Sequence, residues 1–90
     1  MPPKKSDLKL GRVQKTLHSP AHDKFTLMIR EAREMAGLTQ VETAKRLGVR
    51  QNLISDIERG ERLMDVIEFL HFCQVYHINP GRFLKRILDP

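Results

Sequence analysis

Two neighbouring amide side chains, Gln51 and Asn52, offer the most informative chemistry in the sequence. Each carries a hydrogen-bond donor beside an acceptor, and this combination matches the N6 and N7 atoms that adenine presents in the major groove of DNA. Considered alone, however, a Gln-Asn pair is an ordinary feature of a protein surface. Whether this pair contacts bases therefore depends on the secondary-structure elements that position it.

No group of residues in the sequence indicates catalysis or metal binding. The four histidines are not at ligand spacing from one another, and a single cysteine cannot build a structural zinc site. A glycine-rich phosphate loop, a nucleophile elbow and a paired-carboxylate arrangement are all missing. We therefore expect no enzyme, no metal and no cofactor. The histidines, His18, His22, His71 and His77, are expected at the surface or at helix ends, and Cys73 in the core.

The charge of the chain indicates an acidic partner. The net charge is +5 and the isoelectric point about 9.8, and nucleic acid is the commonest such partner for a small domain. Residues 1–24 hold six basic and two acidic side chains, so most of the excess lies there. We predict an extended or disordered basic arm over 1–18, for which a purely solvated role is the usual alternative, and one domain over 19–90.

Nothing in the sequence indicates a membrane or an export route. No apolar run approaches the length that crosses a bilayer, and the N-terminus lacks the apolar region of a secretion signal. A lone cysteine fits a reducing compartment. We expect a cytoplasmic protein of bacterial or phage origin with no membrane partner.

Apolar residues at steps of three and four predict a first pair of helices. Ser19 and Pro20 suit the start of helix 1, which ends at Gly37. A capping box of Thr39 and Glu42 begins helix 2, and Gly48 ends it. The side chains expected to face the core are Phe25, Met28, Ile29, Ala32, Met35 and Ala36 in helix 1, and Val41, Ala44 and Leu47 in helix 2.

Three further helices complete an all-α fold. Helix 3 runs over about 50–58, with Gly60 at its C-terminal end. The N-terminal signals of helices 4 and 5 are Asp65 paired with Glu68, and Asn79 followed by Pro80. The apolar stripes comprise Ile54 and Ile57 in helix 3, Val66, Ile67, Phe69, Leu70, Cys73 and Tyr76 in helix 4, and Phe83, Leu84, Ile87 and Leu88 in helix 5. Helices 2 and 3, joined by a glycine turn, give a helix-turn-helix outline over about 39–58.

A longer set of motif residues spans these helices. It reads Arg33-x-x-x-Gly37-Leu38-Thr39-Gln40-x-x-x-Ala44-x-x-Leu47-Gly48-Val49, followed by Gln51, Ile54-Ser55, Ile57-Glu58 and Gly60-Glu61-Arg62. Over about residues 25–85 the chain resembles the Cro/repressor-type, or Xre, helix-turn-helix family. The resemblance implies a five-helix repressor-like domain that binds double-stranded DNA as a transcriptional regulator.

The resemblance also implies which residues read the bases, because helix 3 of that family enters the major groove. Gln51, Asn52 and Asp56 are then expected to face base edges. Asp56 either accepts from cytosine N4, acts as a specificity filter or points away. Leu53 is a candidate for contact with a thymine methyl group, with semi-buried packing as an equal alternative. Arg50 stands where the family usually has a Ser or Thr N-cap, and we expect it to contact a phosphate or a guanine edge instead.

Phosphate contacts are expected around the same two helices. Gln40 lies at the N-terminus of helix 2, where backbone N–H groups and the helix dipole favour an anion. Arg59 and Arg62 follow helix 3 and either contact phosphates or lie in a solvated loop. Arg33 and Glu58 correspond to an interior ion pair of the family, which would tie helix 1 to the end of helix 3.

A short reading module implies a homodimer on a two-fold operator, with half-sites about one turn of DNA apart. Helix 5 is the candidate dimer surface, unless its apolar residues only complete the core. Repression is the expected outcome. Two alternatives stay open: an antitoxin whose arm over 1–18 folds on a toxin, and a protein-interaction adaptor that keeps the fold without binding DNA, which the nearly neutral body and Asp56 would favour.

Overall fold

The computed structural model describes residues 16–89, and all regular structure in that range is helical. The elements are α1 (Pro20–Met35), α2 (Gln40–Leu47), α3 (Gln51–Glu58), α4 (Val66–Tyr76) and α5 (Pro80–Leu88). The predicted all-α fold of five helices is confirmed. The basic arm predicted over 1–18 lies, except for its last three residues, outside the described part of the chain.

Four of the five helices begin at a side chain that caps the first turn. The Thr39 hydroxyl accepts from the Glu42 N–H at 3.0 Å, and the Glu42 carboxylate accepts from the Thr39 N–H at 3.1 Å. This reciprocal box satisfies two of the donors that a helix start leaves without partners. The other caps are Ser19 for α1, Asp65 with Glu68 for α4 and Asn79 for α5. The exception is α3, whose N-cap Arg50 makes no side-chain cap bond.

Left-handed residues follow the ends of α1 to α4, and one of them is not a glycine. Gly48 has φ +69° in the turn between α2 and α3, a conformation that side chains with a Cβ rarely adopt. His77 ends α4 in the same conformation, with φ +56°. Backbone bonds from the next residue back into the helix accompany both turns: Val49 N–H to Ala44 O and Ile78 N–H to Cys73 O, each 3.0 Å.

All five helices contribute buried apolar residues to one core. Ile29 and Ile54 are fully buried and Ile57 is nearly so. A group of three aromatic rings, Phe25, Phe69 and Phe83, joins α1, α4 and α5, with ring centroids 5.2–5.7 Å apart. Cys73 is buried as expected, and burial raises the pKa of its thiol.

Two side chains expected in the core are in solvent. Val41 is 44 % exposed because α2 packs through Thr43 instead, and residues two apart lie about 200° around a helix from each other. Met35 is 90 % exposed at the last residue of α1. The turn that follows returns the chain, and Leu38 is buried there, with its N–H bonded to Arg33 O at 3.2 Å.

Apolar residues of α4 and α5 are also more exposed than their pattern predicts. The buried face of α4 consists of Phe69, Phe72, Cys73 and Tyr76. Side chains away from this face, and those beside Phe83 on α5, are covered only in part by the rest of residues 16–89. The exposed residues are Val66, Ile67 and Leu70 on α4, and Leu84 and Leu88 on α5. Among residues 16–89, no helix has the length and apolar character needed to span a membrane.

Candidate nucleic-acid interface

The turn at Gly48 fixes how α3 is presented. Ala44 is 4 % exposed, and its small side chain permits the close packing of α2 against α3. Ile54 and Ile57 anchor the inner face of α3 in the core. Asn52 lies on the opposite face, Gln51 lies to one side of the buried face in the first turn, and both are exposed. The helix expected to read bases therefore has its polar face free to enter a groove.

A cleft of about 320 Å³ runs beside the start of α3. Its lining brings together most of the residues that the sequence associates with base reading. They are Arg50, Asn52, Leu53 and Asp56, together with Val49 and Arg62. Leu53 is half-buried and packs against the core, so its packing role is present while its edge still lines the cleft.

Gln51 belongs to a line of hydrogen bonds that leads away from the cleft. Its Nε2 donates to Gln40 Oε1 at 3.4 Å, and Gln40 Nε2 donates to Glu58 Oε1 at 3.1 Å. Glu58 in turn accepts from Arg33. A side chain on the exposed face of α3 is thereby connected, through the first residue of α2, to the interior.

Arg33 and Glu58 form the interior ion pair that the resemblance implied. Arg33 Nε donates to Glu58 Oε2 at 2.7 Å and its second terminal nitrogen donates to Oε1 at 3.1 Å, so the pair is bidentate. The side chains are only 13 % and 5 % exposed. Arg33 also donates to Leu38 O at 2.8 Å, which ties α1 to the turn before α2. The hydrogen bond that Arg33 donates to Glu58 holds the pKa of Arg33 above its ordinary value.

The three arginines expected near phosphates differ in their partners. Arg59 is paired with Asp56 and with Glu61, the latter at 3.2 Å. Arg62 lies 2.9 Å from Glu68, and its hydrogen bond to that carboxylate lowers the pKa of Glu68. Arg50 makes no ion pair with any residue in the described range. Arg50 is thus the arginine whose charge is uncompensated within this surface.

Asp56 is the acidic residue among the side chains that the resemblance implies as base readers. Its carboxylate pairs with Arg59, three residues further along and just beyond the end of α3. Because Arg59 also pairs with Glu61, it compensates the negative charge of Asp56 only in part. An approaching phosphate would still meet a net negative charge in this group of three side chains.

Catalytic and metal-binding candidates do not gather at this surface. Within residues 16–89, no three His, Cys, Asp or Glu side chains are placed to hold a metal ion. The histidine with a distinctive setting is His22, which lies in the first turn of α1 and is 7 % exposed. Its Nδ1 accepts from the His18 N–H at 3.3 Å.

Two contacts at the interface have no local signal in the sequence. Gln40 and Glu58 are 18 residues apart, and Arg62 reaches Glu68 only because the loop after α3 turns back toward α4. Both depend on how helices cross. A carboxylate three residues after a capping residue, as at Glu68, indicates the cap but not the arginine that shares it.

The comparisons with known proteins assign the chain to a family. A model described as "Helix-turn-helix" matches residues 29–80, which is more than half of the chain. An XRE-family like protein from Pseudomonas syringae pv. tomato str. DC3000 is 38% identical, with 86% of this chain and 96% of that chain covered and a TM-score of 0.75. The chain belongs to the Xre-type helix-turn-helix family. Comparison with curated proteins gives no match.

Other solved structures share the fold at lower identity. The wild-type restriction-modification controller protein C.Esp1396I is 21% identical over 79% of this chain and 93% of that chain, with a TM-score of 0.70. The same controller as a tetramer with its natural 35 base-pair operator aligns with a TM-score of 0.69 at the same identity and coverage. These likenesses concern the fold. Family membership places this Xre-type chain among DNA-binding transcriptional regulators.

Proposed function

We propose that the protein is a sequence-specific repressor that binds a two-fold operator in double-stranded DNA, with α3 in the major groove. The observation that carries this proposal is the exposed polar surface of α3, where Gln51 and Asn52 stand beside the cleft and beside Arg50, which forms no ion pair within residues 16–89. An α-helix fits the major groove, and amide side chains suit adenine there. Repression follows when the occupied site overlaps a promoter, and such a regulator acts in the cytoplasm.

Contacts to phosphates would fix the register of α3. The first turn of α2 presents backbone N–H groups at the positive end of the helix dipole, beside Gln40. Arg50 supplies a charge that no described acidic group neutralises. Arg59 and Arg62 contribute less, since their acidic partners must be released or shared when a phosphate approaches. We propose Gln40 and Arg50 as the main positioning residues.

The proposed DNA-binding unit contains two copies of the chain. One short helix reads few base pairs, and helix-turn-helix proteins gain specificity by binding two half-sites. Leu84 and Leu88 on α5 are 46 % and 76 % exposed, and Val66 and Ile67 on α4 are 72 % and 62 % exposed. Burial of such side chains between two copies provides a favourable free energy. The tetramer of the C.Esp1396I controller on its operator is consistent with assembly of this fold on DNA.

The proposed base readers can be tested by truncation. We expect Gln51→Ala and Asn52→Ala each to weaken binding to a preferred duplex by about 1–3 kcal/mol, while binding to a random duplex barely changes. Fluorescence anisotropy titrations on both duplexes measure this difference. Gln74→Ala, an exposed amide on α4, is the matched control and should change neither affinity. Equal losses on both duplexes would contradict a reading role.

A further inference from the structure

We propose that Glu58 is a positioning residue that selects the base Gln51 can read. The inference rests on the proposed function and adds one claim to it. The buried carboxylate fixes the direction of the Gln40 amide, and that amide fixes the direction of the Gln51 amide. Glu58 would thus determine base preference without touching DNA.

The Glu58 side chain is 5 % exposed, and two hydrogen bonds from the Arg33 guanidinium hold its carboxylate in place. An ionised carboxylate has acceptors only. The atom of Gln40 that lies 3.1 Å from Glu58 Oε1 must therefore be the amide nitrogen. The reversed amide would bring two oxygens together in a partly buried site, which is unfavourable.

The direction of one amide then determines that of the next. With its nitrogen turned to Glu58, Gln40 presents its oxygen to α3. Gln51 can form a hydrogen bond with this oxygen only by donating an N–H, and its Nε2 lies 3.4 Å from Gln40 Oε1. This leaves Gln51, an exposed side chain, with one N–H and its carbonyl oxygen for a base.

One donor and one acceptor match adenine and oppose guanine. Adenine offers an acceptor at N7 and a donor at N6, whereas guanine offers acceptors at both N7 and O6. The Gln51 oxygen would face guanine O6 without a hydrogen between them. Were Gln51 free to turn, it could place its amide nitrogen toward guanine instead. The hydrogen bonds that connect Gln51 through Gln40 to Glu58 oppose this rotation of the Gln51 amide.

Two variants test whether the hydrogen bonds from Glu58 through Gln40 fix the direction of the Gln51 amide. In Glu58→Gln, the new amide can offer Gln40 either a donor or an acceptor, so the direction of Gln40 is no longer fixed. In Gln40→Lys, an ammonium group can satisfy Glu58 but accepts nothing from Gln51, which then turns its oxygen inward and its N–H groups toward the base. Gln40 is at the edge of the core, so this second variant does not depend on a disrupted ion pair.

Each variant has a matched control. Arg33→Lys weakens the ion pair but leaves an ionised Glu58 as the acceptor for Gln40. Val41→Lys adds a positive charge to the first turn of α2 at an exposed position and leaves the line intact. The controls account for lost stability and for added charge.

The experiment measures the affinity ratio for adenine over guanine at the operator position where Gln51→Ala abolishes preference. We expect the wild type, Arg33→Lys and Val41→Lys to favour adenine by about ten-fold or more, within the range that a bidentate contact provides. In Glu58→Gln and Gln40→Lys, the ratio should fall at least about five-fold, with guanine favoured most by Gln40→Lys. Circular dichroism checks that each variant is folded under the binding conditions.

Two results overturn the proposal. If the wild type selects an operator but Gln40→Lys keeps the adenine ratio, or if Arg33→Lys changes the ratio as much as Glu58→Gln, Glu58 acts through stability alone and the proposed function stands. If the wild type shows no preference among duplexes, the proposed function and this inference fail together.

Discussion

At the scale of single residues, loss of either partner of the Arg33–Glu58 pair is expected to lower the stability of the fold. Truncation of one side chain leaves the other charge poorly paired in a site that is largely closed to water. We expect Arg33→Ala or Glu58→Ala to lower the free energy of unfolding by about 3 kcal/mol. Urea unfolding monitored by circular dichroism measures the change.

The exposed pair of α1 provides the control for that measurement. Arg30 and Glu34 lie 3.8 Å apart, with side chains 58 % and 54 % exposed, so Arg30→Ala should cost less than about 1 kcal/mol. A loss in Arg33→Ala no larger than that of Arg30→Ala would show that the interior pair is not needed for stability.

His22 makes stability depend on pH. Burial lowers its pKa, the charge of Asp23 opposes this and that of His18 adds to it. The unfolded chain therefore takes up a proton more readily than the folded chain, so the stabilising contribution is complete above about pH 6.5 and is lost as pH falls through the folded-state pKa. We expect the melting temperature to fall below about pH 6.5 in the wild type, and to fall less in His22→Gln.

The control for His22 is another histidine. His71 is exposed on α4, and His71→Gln should keep the full pH dependence of the wild type. The account of His22 fails if both variants show the same profile of melting temperature against pH.

At the scale of elements, the starts of the helices could be predicted from the sequence better than the contacts between helices. The starts of α1, α2, α4 and α5 could be predicted because Ser19, Thr39, Asp65 and Asn79 each bond to a backbone N–H within the next three residues. Such bonds depend on neighbours in sequence alone.

Burial was less predictable because it depends on which helix faces which. Val41 follows the apolar period of α2 but points away from its neighbours, whereas Thr43, a polar residue, is fully buried. The same holds for the candidate site. The resemblance supplied Gln40, Gln51 and the Arg33–Glu58 pair as separate roles, and only the crossing of α2 and α3 connects them.

The end of α4 can be improved by one substitution. His77 is an exposed non-glycine residue with φ +56°. In this left-handed conformation a Cβ crowds the backbone, and glycine avoids the strain because it has no Cβ. We expect His77→Gly to raise the free energy of unfolding by about 0.5–1 kcal/mol. Chemical denaturation provides the measurement.

Gln74→Gly serves as the comparison, since it places glycine inside the same helix at an exposed position. That substitution should destabilise by about 1 kcal/mol. A loss of stability in both variants would mean that His77 makes contacts which outweigh its backbone strain.

At the scale of the whole molecule, the exposed apolar residues of α5 are expected to join two copies. Leu84→Glu and Leu88→Glu would place charges in the proposed interface, where each is costly to bury. We expect these variants to shift a dimer to monomer at micromolar concentration in sedimentation velocity experiments, with loss of operator affinity that a higher protein concentration restores.

Met35→Glu is the control for the dimer, because Met35 is 90 % exposed at the far end of α1. It should leave the sedimentation coefficient unchanged. A wild type that remains monomeric at all concentrations, both free and bound to DNA, would contradict the two-fold arrangement.

The central claim, that α3 reads sequence in two symmetry-related half-sites, is tested most directly by selection of bound duplexes from a random pool by the wild type and Gln51→Ala in parallel. We predict that the wild type enriches an inverted repeat with half-sites about 10 base pairs apart, centre to centre. Gln51→Ala should lose preference at one position in each half-site and keep the rest. Enrichment of no sequence by the wild type, or of the same sequence with the same preferences by both proteins, would contradict it.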